Sequence, residues 1–537
     1  MRIGLDLDNT LVCYERVFLL EAKRQGLLPE LWSGNKQEIK QQITGQYNGE
    51  KLWQTLQGQV YGPCMEQAEL FPGVARFLMR CKEREAQVFI VSHKTKFGHF
   101  DLTKTPLRKT AINWMTSKGF FNPAIFGLDE GSVFFFDTRR EKVRHITSLE
   151  LDAFVDDLEE VFLEEEFPDL TRILFNTKPK SQKYDAVSGS WIDIGNHLFG
   201  PLTDQECLAQ AQTFCPETIE SVKRLSGRGN SRVYQVVTQK NKQFFLKVYP
   251  DLHSDPRPRL QAEVRACDLV FPLMQSPKIV AFDKELNMGL FEWLEGVRPT
   301  EISLSNIDQA VEFIQKLKEL HEGLGGDYPE ASEACLSGRA LLSQINRRFD
   351  LLRSVETAKL RHFLENELQP LWLQIQDSYL LRSSETSIDQ NLALQEQTLS
   401  PSDFGFHNSK LGPDGRLRFF DFEYFGRDDP VKLIADFLWH PAMDLKHSHK
   451  NRWAFGMFNL FRAEKGLKSR FEATWPLYGV RWSLILLNVF CADGWSKRVN
   501  ARRKSDSQAL LIQDRQLKKA KNVCDFLVNS NMKCPYV

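Results

Sequence analysis

Leu399-Ser400-Pro401-Ser402-Asp403-Phe404-Gly405-Phe406-His407-Asn408 is followed shortly by Leu417-Arg418-Phe419-Phe420-Asp421-Phe422-Glu423. An aspartate, an asparagine five positions later and a second aspartate ending the next apolar strand form the set that phosphoryl transfer from ATP to a hydroxyl needs. In that chemistry one carboxylate orients and deprotonates the acceptor, while an amide and a second carboxylate hold magnesium against the phosphates. Asp403 is then the catalytic carboxylate, Asn408 takes one Mg2+ and Asp421 takes both. His407, lying between them, reads as loop packing rather than as a ligand.

Upstream, Leu225-Ser226-Gly227-Arg228-Gly229-Asn230-Ser231 leads into a strand-like run from Val233 to Val237. Glycines there, Gly227 and Gly229, let backbone N–H groups close over phosphates, although any hairpin carries glycines too. Phe244-Phe245-Leu246-Lys247-Val248 follows at hairpin distance, and Glu263 sits on a helix-like stretch soon after. A Lys247–Glu263 pair beside a glycine turn is how kinases orient the ATP phosphates; an ordinary surface ion pair is the other reading. The strand Leu290 to Gly296 supplies an exit turn suited to docking adenine through the backbone of Glu292 and Leu294, and plain core remains open for it.

These residues resemble the aminoglycoside phosphotransferase and choline kinase group of small-molecule kinases, over about residues 216–537. The resemblance implies a two-lobed α+β, protein-kinase-like domain, with an N-lobe of about 216–297 and a C-lobe of about 298–537. It implies ATP as phosphoryl donor, Mg2+ as cofactor, and a small-molecule hydroxyl as acceptor. Asp429-Pro430 and Asp436 fit the group, the last as a brace for the catalytic loop, and Glu423 is within its range. One departure stands out: the group usually has histidine two residues before the catalytic aspartate, where this chain has Pro401.

The other end of the chain opens on Met1-Arg2-Ile3-Gly4-Leu5-Asp6-Leu7-Asp8-Asn9-Thr10. A buried strand that ends in two carboxylates one residue apart places them where open α/β sheets bind ligands. Such a pair is costly without a cation or a phosphate to offset it. Strand signals recur at Ala86 to Val91, ending in Ser92, at Val133 to Phe136, leading to Lys142, and at Ala153 to Val155, ending in Asp156-Asp157. Helical stretches separate them, so the reading is a parallel sheet with right-handed crossovers. Singly, Ser92 is explained as a helix cap, Lys142 as a surface lysine and Asp156-Asp157 as a turn; in series they form a phosphate site.

In this order the motifs resemble those of the haloacid dehalogenase-like phosphatases, over residues 1 to about 195. That resemblance implies a doubly wound, Rossmann-like domain with a small helical cap at about 12–70. It makes Asp6 the nucleophile that forms an aspartyl-phosphate and Asp8 the general acid and base. Thr10, Ser92 and Lys142 would bind the phosphoryl group, while Asp6, Asp8 and Asp156 would share Mg2+. His93 and His99 flank the second motif and are more simply structural. A phosphomonoester is the implied substrate.

The bulk properties agree with a small-molecule enzyme of α/β class. The 537 residues allow two to four domains by the usual prior of about 150 residues each. Lys and Arg together number 70, as do Asp and Glu, so there is no net charge to draw nucleic acid or an anionic membrane. The ten cysteines show no C-x-x-C pair, which argues against a zinc or disulfide framework and for a reducing, cytoplasmic setting. Breakers between Phe175 and Pro216 predict a linker at 196–215. Aromatic residues from Trp453 to Trp482 read as core rather than a sugar platform, and the basic stretch 497–504 as a solvated face.

The expectation is thus a bifunctional phosphatase and kinase, which relocates phosphate among sugar, polyol or amino-alcohol intermediates. The alternative is one catalytic domain beside a regulatory module that binds nucleotide or a phospho-ligand.

Overall fold

The computed structural model describes residues 1–98, 100, 104–176, 187–225, 231–250, 255–273, 275–325, 328–382, 388–443, 445–491 and 506–536. The chain divides into two compact units: Met1–Ile219 with Asp251–Pro256 and Asp283–Asn287, and the remainder.

In the first unit the strands are β1 Arg2–Leu5, β2 Gln87–His93, β3 Val133–Phe136, β4 Ala153–Asp156, β5 Thr171–Phe175 and β6 Val187–Gly189. They form one sheet in the order β3-β2-β1-β4-β5-β6, every neighbouring pair parallel. The chain leaves β1 on one side and returns on the other at β4, so the order reverses at the β1/β4 crevice. Ligands in open α/β sheets bind there, outside the strands' carboxyl ends. Ile3, Leu5, Ile90, Val91, Phe154 and Val155 are fully buried, as a sheet covered on both faces requires.

Between β1 and β2 the chain makes a helical excursion, α1 Glu15–Arg24, α2 Lys36–Thr44 and α3 Gly49–Tyr61. A short antiparallel pairing of Val12–Cys13 with Glu69–Leu70 closes its base. Asn35 begins α2 with a full capping box to Glu38, and Phe18 stacks on Trp53 between α1 and α3. The return helix α4, Val74–Glu83, buries Val74, Phe77, Leu78 and Cys81, the spacing of one helical face. α5, Leu107–Ser117, and α6, Arg139–Ser148, are the following crossovers.

Residues 196–215, expected as a linker, are instead folded into this unit. α7, Trp191–Phe199, and α8, Asp204–Gln212, are joined at Gly200-Pro201, and α8 buries Cys207, Gln210 and Ala211. Buried Arg80 of α4 donates to Glu206 at 3.1 Å and to the Gly200 carbonyl at 2.7 Å. Gly and Pro here mark a turn between two helices, which local composition does not distinguish from a domain edge.

The second unit begins with a five-stranded sheet of β7 Ile219–Leu225, β8 Arg232–Thr238, β9 Gln243–Val248, β10 Ile279–Asp283 and β11 Met288–Glu292, in the order β10-β11-β9-β8-β7. Helix α9, Arg259–Val270, lies in sequence between β9 and β10. The rest is mainly helical: α10 Leu304–Gly323, α11 Gly338–Arg353, α12 Gln369–Arg382, α13 Pro430–Trp439, α14 His447–Leu460, α15 Leu467–Leu487 and α16 Asp506–Asn529. Two small antiparallel pairs interrupt it, β12 Thr398–Ser400 with β15 Gly426–Asp428 and β13 Ser409–Leu411 with β14 Leu417–Phe419. Trp453, Trp475, Tyr478 and Phe471 are buried in one continuous core, whereas Phe455 is exposed. No described helix is long and apolar enough to cross a membrane.

Candidate functional sites

At the β1/β4 crevice, Asp6 follows β1 and its N–H donates to the Val155 carbonyl at 2.9 Å, which holds it beside Asp156 at the end of β4. Lys142, from the second turn of α6, donates to Asp6 Oδ1 and to Asp156 Oδ2, each at 2.6 Å. α6 is started by a capping box of Thr138 and Glu141, so Lys142, its fourth residue, follows directly on a firmly fixed helix start. Asp6, Lys142 and Asp156 are all buried. Burial lifts the Asp6 carboxyl to about 8, with Asp156 and Asp157 adding to the rise and Lys142 opposing it. Asp157 is raised to about 7, again chiefly by burial.

Ligand-capable oxygens of Asp6, Asp156 and Asp157 lie within 4.8 Å of one another. All are hard oxygen donors, and one lysine does not balance three carboxylates, so the group fits a divalent cation such as Mg2+. Ser92 is buried and its hydroxyl has no hydrogen-bond partner among the described residues, an acceptor and donor left over in a polar crevice.

Two expectations change at this site. The Asp8 carboxylate does not join the metal group: it is clamped by Lys94 Nζ at 2.9 and 2.8 Å and by the Tyr14 hydroxyl at 2.6 Å. The third carboxylate comes from Asp157. Thr10, expected on phosphate, is already engaged, donating to Asp157 Oδ1 and accepting from the Asp157 N–H, each at 3.1 Å. Lys94 was not singled out by the sequence, although a lysine two residues past the strand-end serine is a usable signal. His93 faces outward and bonds the Asp137 carbonyl at 2.9 Å, a structural contact.

In the second unit, Lys247 of β9 pairs with Glu263 of α9 at 2.7 Å, with Glu423 at 2.9 Å, and with Asp421. Glu263, Asp421 and Glu423 converge within 4.8 Å, a second oxygen set able to hold a cation. Burial raises the Asp421 carboxyl to about 7, with Glu423 and Glu263 adding and Lys247 opposing. Burial acts the same way on Glu423, but Lys247 and Arg259 outweigh it and hold that carboxyl at about 2. Ser231 also donates to Glu423, at 2.9 Å.

Asp421 has a left-handed backbone (φ 71°), as do Ser402 (φ 66°) before Asp403 and Asn9 (φ 62°) after Asp8. Asn and Asp enter that region readily, whereas serine pays on the order of 1 kcal/mol, a strain found where a loop is held for function. Asn408 donates its side-chain N–H to the Asp403 carbonyl at 3.0 Å, which ties together the two ends of the loop. Asp403 Oδ1 accepts from His407 Nε2 and from His440 Nε2, each at 3.0 Å. Burial opposes its ionisation, but these two bonds prevail and keep the carboxyl well below the usual range. His407 therefore does more than pack a loop. His440, just past α13, was missed; its distance in sequence from Asp403 leaves no local pattern to find it.

The proposed adenine strand is present, but the Leu294 carbonyl already accepts from Lys410 Nζ at 2.6 Å, and the Glu292 N–H donates to the Lys278 carbonyl at 2.9 Å. Asp436 is buried: it accepts from Trp482 Nε1 at 2.7 Å and Arg481 at 3.1 Å and pairs with Lys432 at 2.9 Å. Gly227, Gly229, His99 and the basic stretch 497–504 lie outside the described residues.

Residues 221–446 match the phosphotransferase enzyme family, APH. The C-terminal part of the chain thus carries a kinase-like phosphotransferase domain. Among solved structures, choline kinase LicA from Streptococcus pneumoniae is 16% identical, with 59% of this chain and 99% of that chain covered and a TM-score of 0.38. An ethanolamine kinase from Plasmodium vivax is 13% identical, with 62% and 93% covered and a TM-score of 0.39. Amicoumacin kinase hAmiN, solved with AMP-PNP, Ca2+ and Ami, is 14% identical, with 61% and 96% covered and a TM-score of 0.40. No curated protein matches the chain.

Proposed function

We propose that the chain is a bifunctional enzyme with two phosphate-handling centres. The second unit transfers the γ-phosphoryl group of ATP to a hydroxyl of a small metabolite, a sugar, polyol or amino alcohol. The first is a phosphomonoesterase that works through an aspartyl-phosphate on Asp6. The reading rests on one device that occurs twice: a buried lysine set among converging strand-end carboxylates, Lys142 with Asp6 and Asp156, and Lys247 with Glu263, Asp421 and Glu423.

In the kinase centre the acceptor hydroxyl binds Asp403, which takes its proton as the new O–P bond forms and the bond to ADP breaks. Lys247 is held by Glu263 for the nucleotide phosphates. In the phosphatase centre Asp6 attacks phosphorus, while Asp8, oriented by Lys94 and Tyr14, gives a proton to the departing alcohol. Asp8 then takes a proton from the water that releases phosphate from Asp6. Ser92 and Lys142 hold phosphoryl oxygens. Mg2+ would be held by Asp6, Asp156 and Asp157 in one centre and by Asp421 and Asn408 in the other, where it neutralises phosphoryl charge.

Opposed action at one position would only hydrolyse ATP, so the two centres act at different positions or on different members of one reaction sequence. The test is to offer Asp6→Asn and Asp403→Ala proteins ATP with hexoses, hexitols, choline and ethanolamine, and to follow phosphorus by NMR. Asp403→Ala should lose transfer and keep hydrolysis of a simple phosphomonoester; Asp6→Asn should do the reverse. Survival of both activities in both variants sinks the assignment, and survival of one activity in every variant leaves a single catalytic unit.

A further inference from the structure

The Asp403 carboxylate is held in a way the phosphoryl-transfer scheme does not require. His407 and His440 come from different elements, yet both Nε2 atoms lie 3.0 Å from the same oxygen, Oδ1. The two rings stack with centroids 4.1 Å apart and planes 13° from parallel. His440 is wedged edge-on against Trp482, at 4.7 Å, and Trp482 is itself fixed by Asp436. Both imidazoles are nearly buried, with side-chain exposures of 8% and 10%.

The tautomer of His440 follows from its other nitrogen. The Ala442 N–H donates to His440 Nδ1 at 3.1 Å, so Nδ1 is an acceptor and the ring hydrogen sits on Nε2, aimed at Asp403. Asp403, His407 and His440 are close enough to suggest a metal site. A ring that spends Nδ1 as acceptor and Nε2 as donor has no lone pair left for a cation, so the trio is a hydrogen-bonded unit instead. Two donors already occupy Oδ1, and Oδ2 has no partner among the described residues.

We propose that His407 and His440 are a pair of positioning residues that lock the Asp403 carboxylate so that Oδ2 alone faces the acceptor hydroxyl. They supply, from the far side, the brace that Pro401 cannot give. This rests on the kinase reading of the second unit. The acceptor proton passes to Oδ2 as oxygen bonds phosphorus and ADP departs; the imidazole hydrogens stay where they are. The pair thus changes geometry and not the proton balance, and its loss acts on turnover rather than on nucleotide binding.

The experiment uses the full chain and the best acceptor from the panel of hexoses, hexitols, choline and ethanolamine, with ADP release as readout. His440→Leu should lower kcat about 100-fold while KM for ATP stays within about twofold, as expected when a reacting group is displaced by roughly 1 Å. His440→Gln, which restores an N–H at similar reach, should recover most of the loss. A His440→Leu kcat within about threefold of wild type overturns the proposal, as does a loss of equal size in His440→Gln or one that appears in KM for ATP. If His440→Leu does not melt cooperatively, His407→Leu and His407→Gln give the same comparison. Asp403→Ala separates the two levels: full transfer by that variant overturns the kinase reading, whereas an inactive Asp403→Ala beside a fully active His440→Leu overturns only the brace.

Discussion

Lys142 Nζ lies 2.6 Å from Asp6 Oδ1 although 136 positions separate the residues in the chain. The same ammonium reaches Asp156 at an equal distance, so one cation carries two buried carboxylates. Removing it leaves both uncompensated, and breaking a buried pair from one side costs about 3–5 kcal/mol. Lys142→Met should therefore lower the stability of the first unit by about that amount and abolish phosphomonoester hydrolysis. Added Mg2+ should restore part of the melting temperature, since it offsets the same charge, without restoring turnover. Calorimetry with and without Mg2+ checks this.

Lys247 has the parallel role among Glu263, Asp421 and Glu423. Lys247→Met should reduce transfer from ATP by about 100-fold or more, as expected when a preorganised charge against a phosphate is lost. Hydrolysis of a simple phosphomonoester should stay at the wild-type rate. Lys247→Arg should not rescue, because a planar fork does not reproduce a point charge shared by three carboxylates. Steady-state rates for both reactions on the same preparations decide the matter.

Asp436 accepts from Trp482 and Arg481 and pairs with Lys432, which in turn pairs with buried Asp428 at 2.9 Å. The Asp436→Ala variant would leave buried Arg481 without its carboxylate and Lys432 with Asp428 as its remaining one. It should destabilise the second unit by about 3–4 kcal/mol, read as a lower denaturant midpoint. Because Trp482 also wedges His440, residual kinase turnover should fall even at temperatures where the variant is folded.

Glu464 accepts from Arg470, which also bonds Asp429. Burial raises its carboxyl to about 7, with Arg470 opposing and Asp429 adding to the rise. A carboxyl raised in the folded state binds a proton that the unfolded chain has already lost, so stability falls as pH climbs from about 4.5 to about 7 and then levels. Glu464→Gln removes that loss. It should be more stable than wild type at pH 8 by on the order of 1 kcal/mol after solvent screening, with no advantage at pH 4. Melting curves at the two pH values test the sign.

Much of each centre is written in short stretches. Asp6, Asp8, Ser92 and Asp156 each end an apolar run or follow one closely, and Asp403, Asn408 and Asp421 are spaced within one loop and its next strand. A strand end is a local event, so the residue that leaves it can be read from a few neighbours. Partners brought in by packing were harder. Lys94 clamping Asp8, Asp157 in place of Asp8 in the carboxylate group, and Thr10 turned to carboxylate rather than phosphate all depend on which side of the crevice a side chain leaves. The 196–215 stretch is hard to read for a related reason: a Gly-Pro turn looks the same between two packed helices as between two domains.

The sequence alone determined the chemistry on offer: strand-end carboxylates, a lysine within a strand, and the acid, amide and acid of Asp403, Asn408 and Asp421. It determined the alternation of strands and helices that makes the first sheet parallel, because hydrophobic period and chain breakers are local properties. Only the tertiary structure decided which charges meet. Lys142 arrives from α6, Lys94 from beyond β2, and His440 from beyond α13, each across a distance that no periodicity records. Side-chain pairing is settled by how helices and strands pack, and it is that packing which turns Asp403 from a residue in a motif into a carboxylate with one oxygen held by two imidazoles.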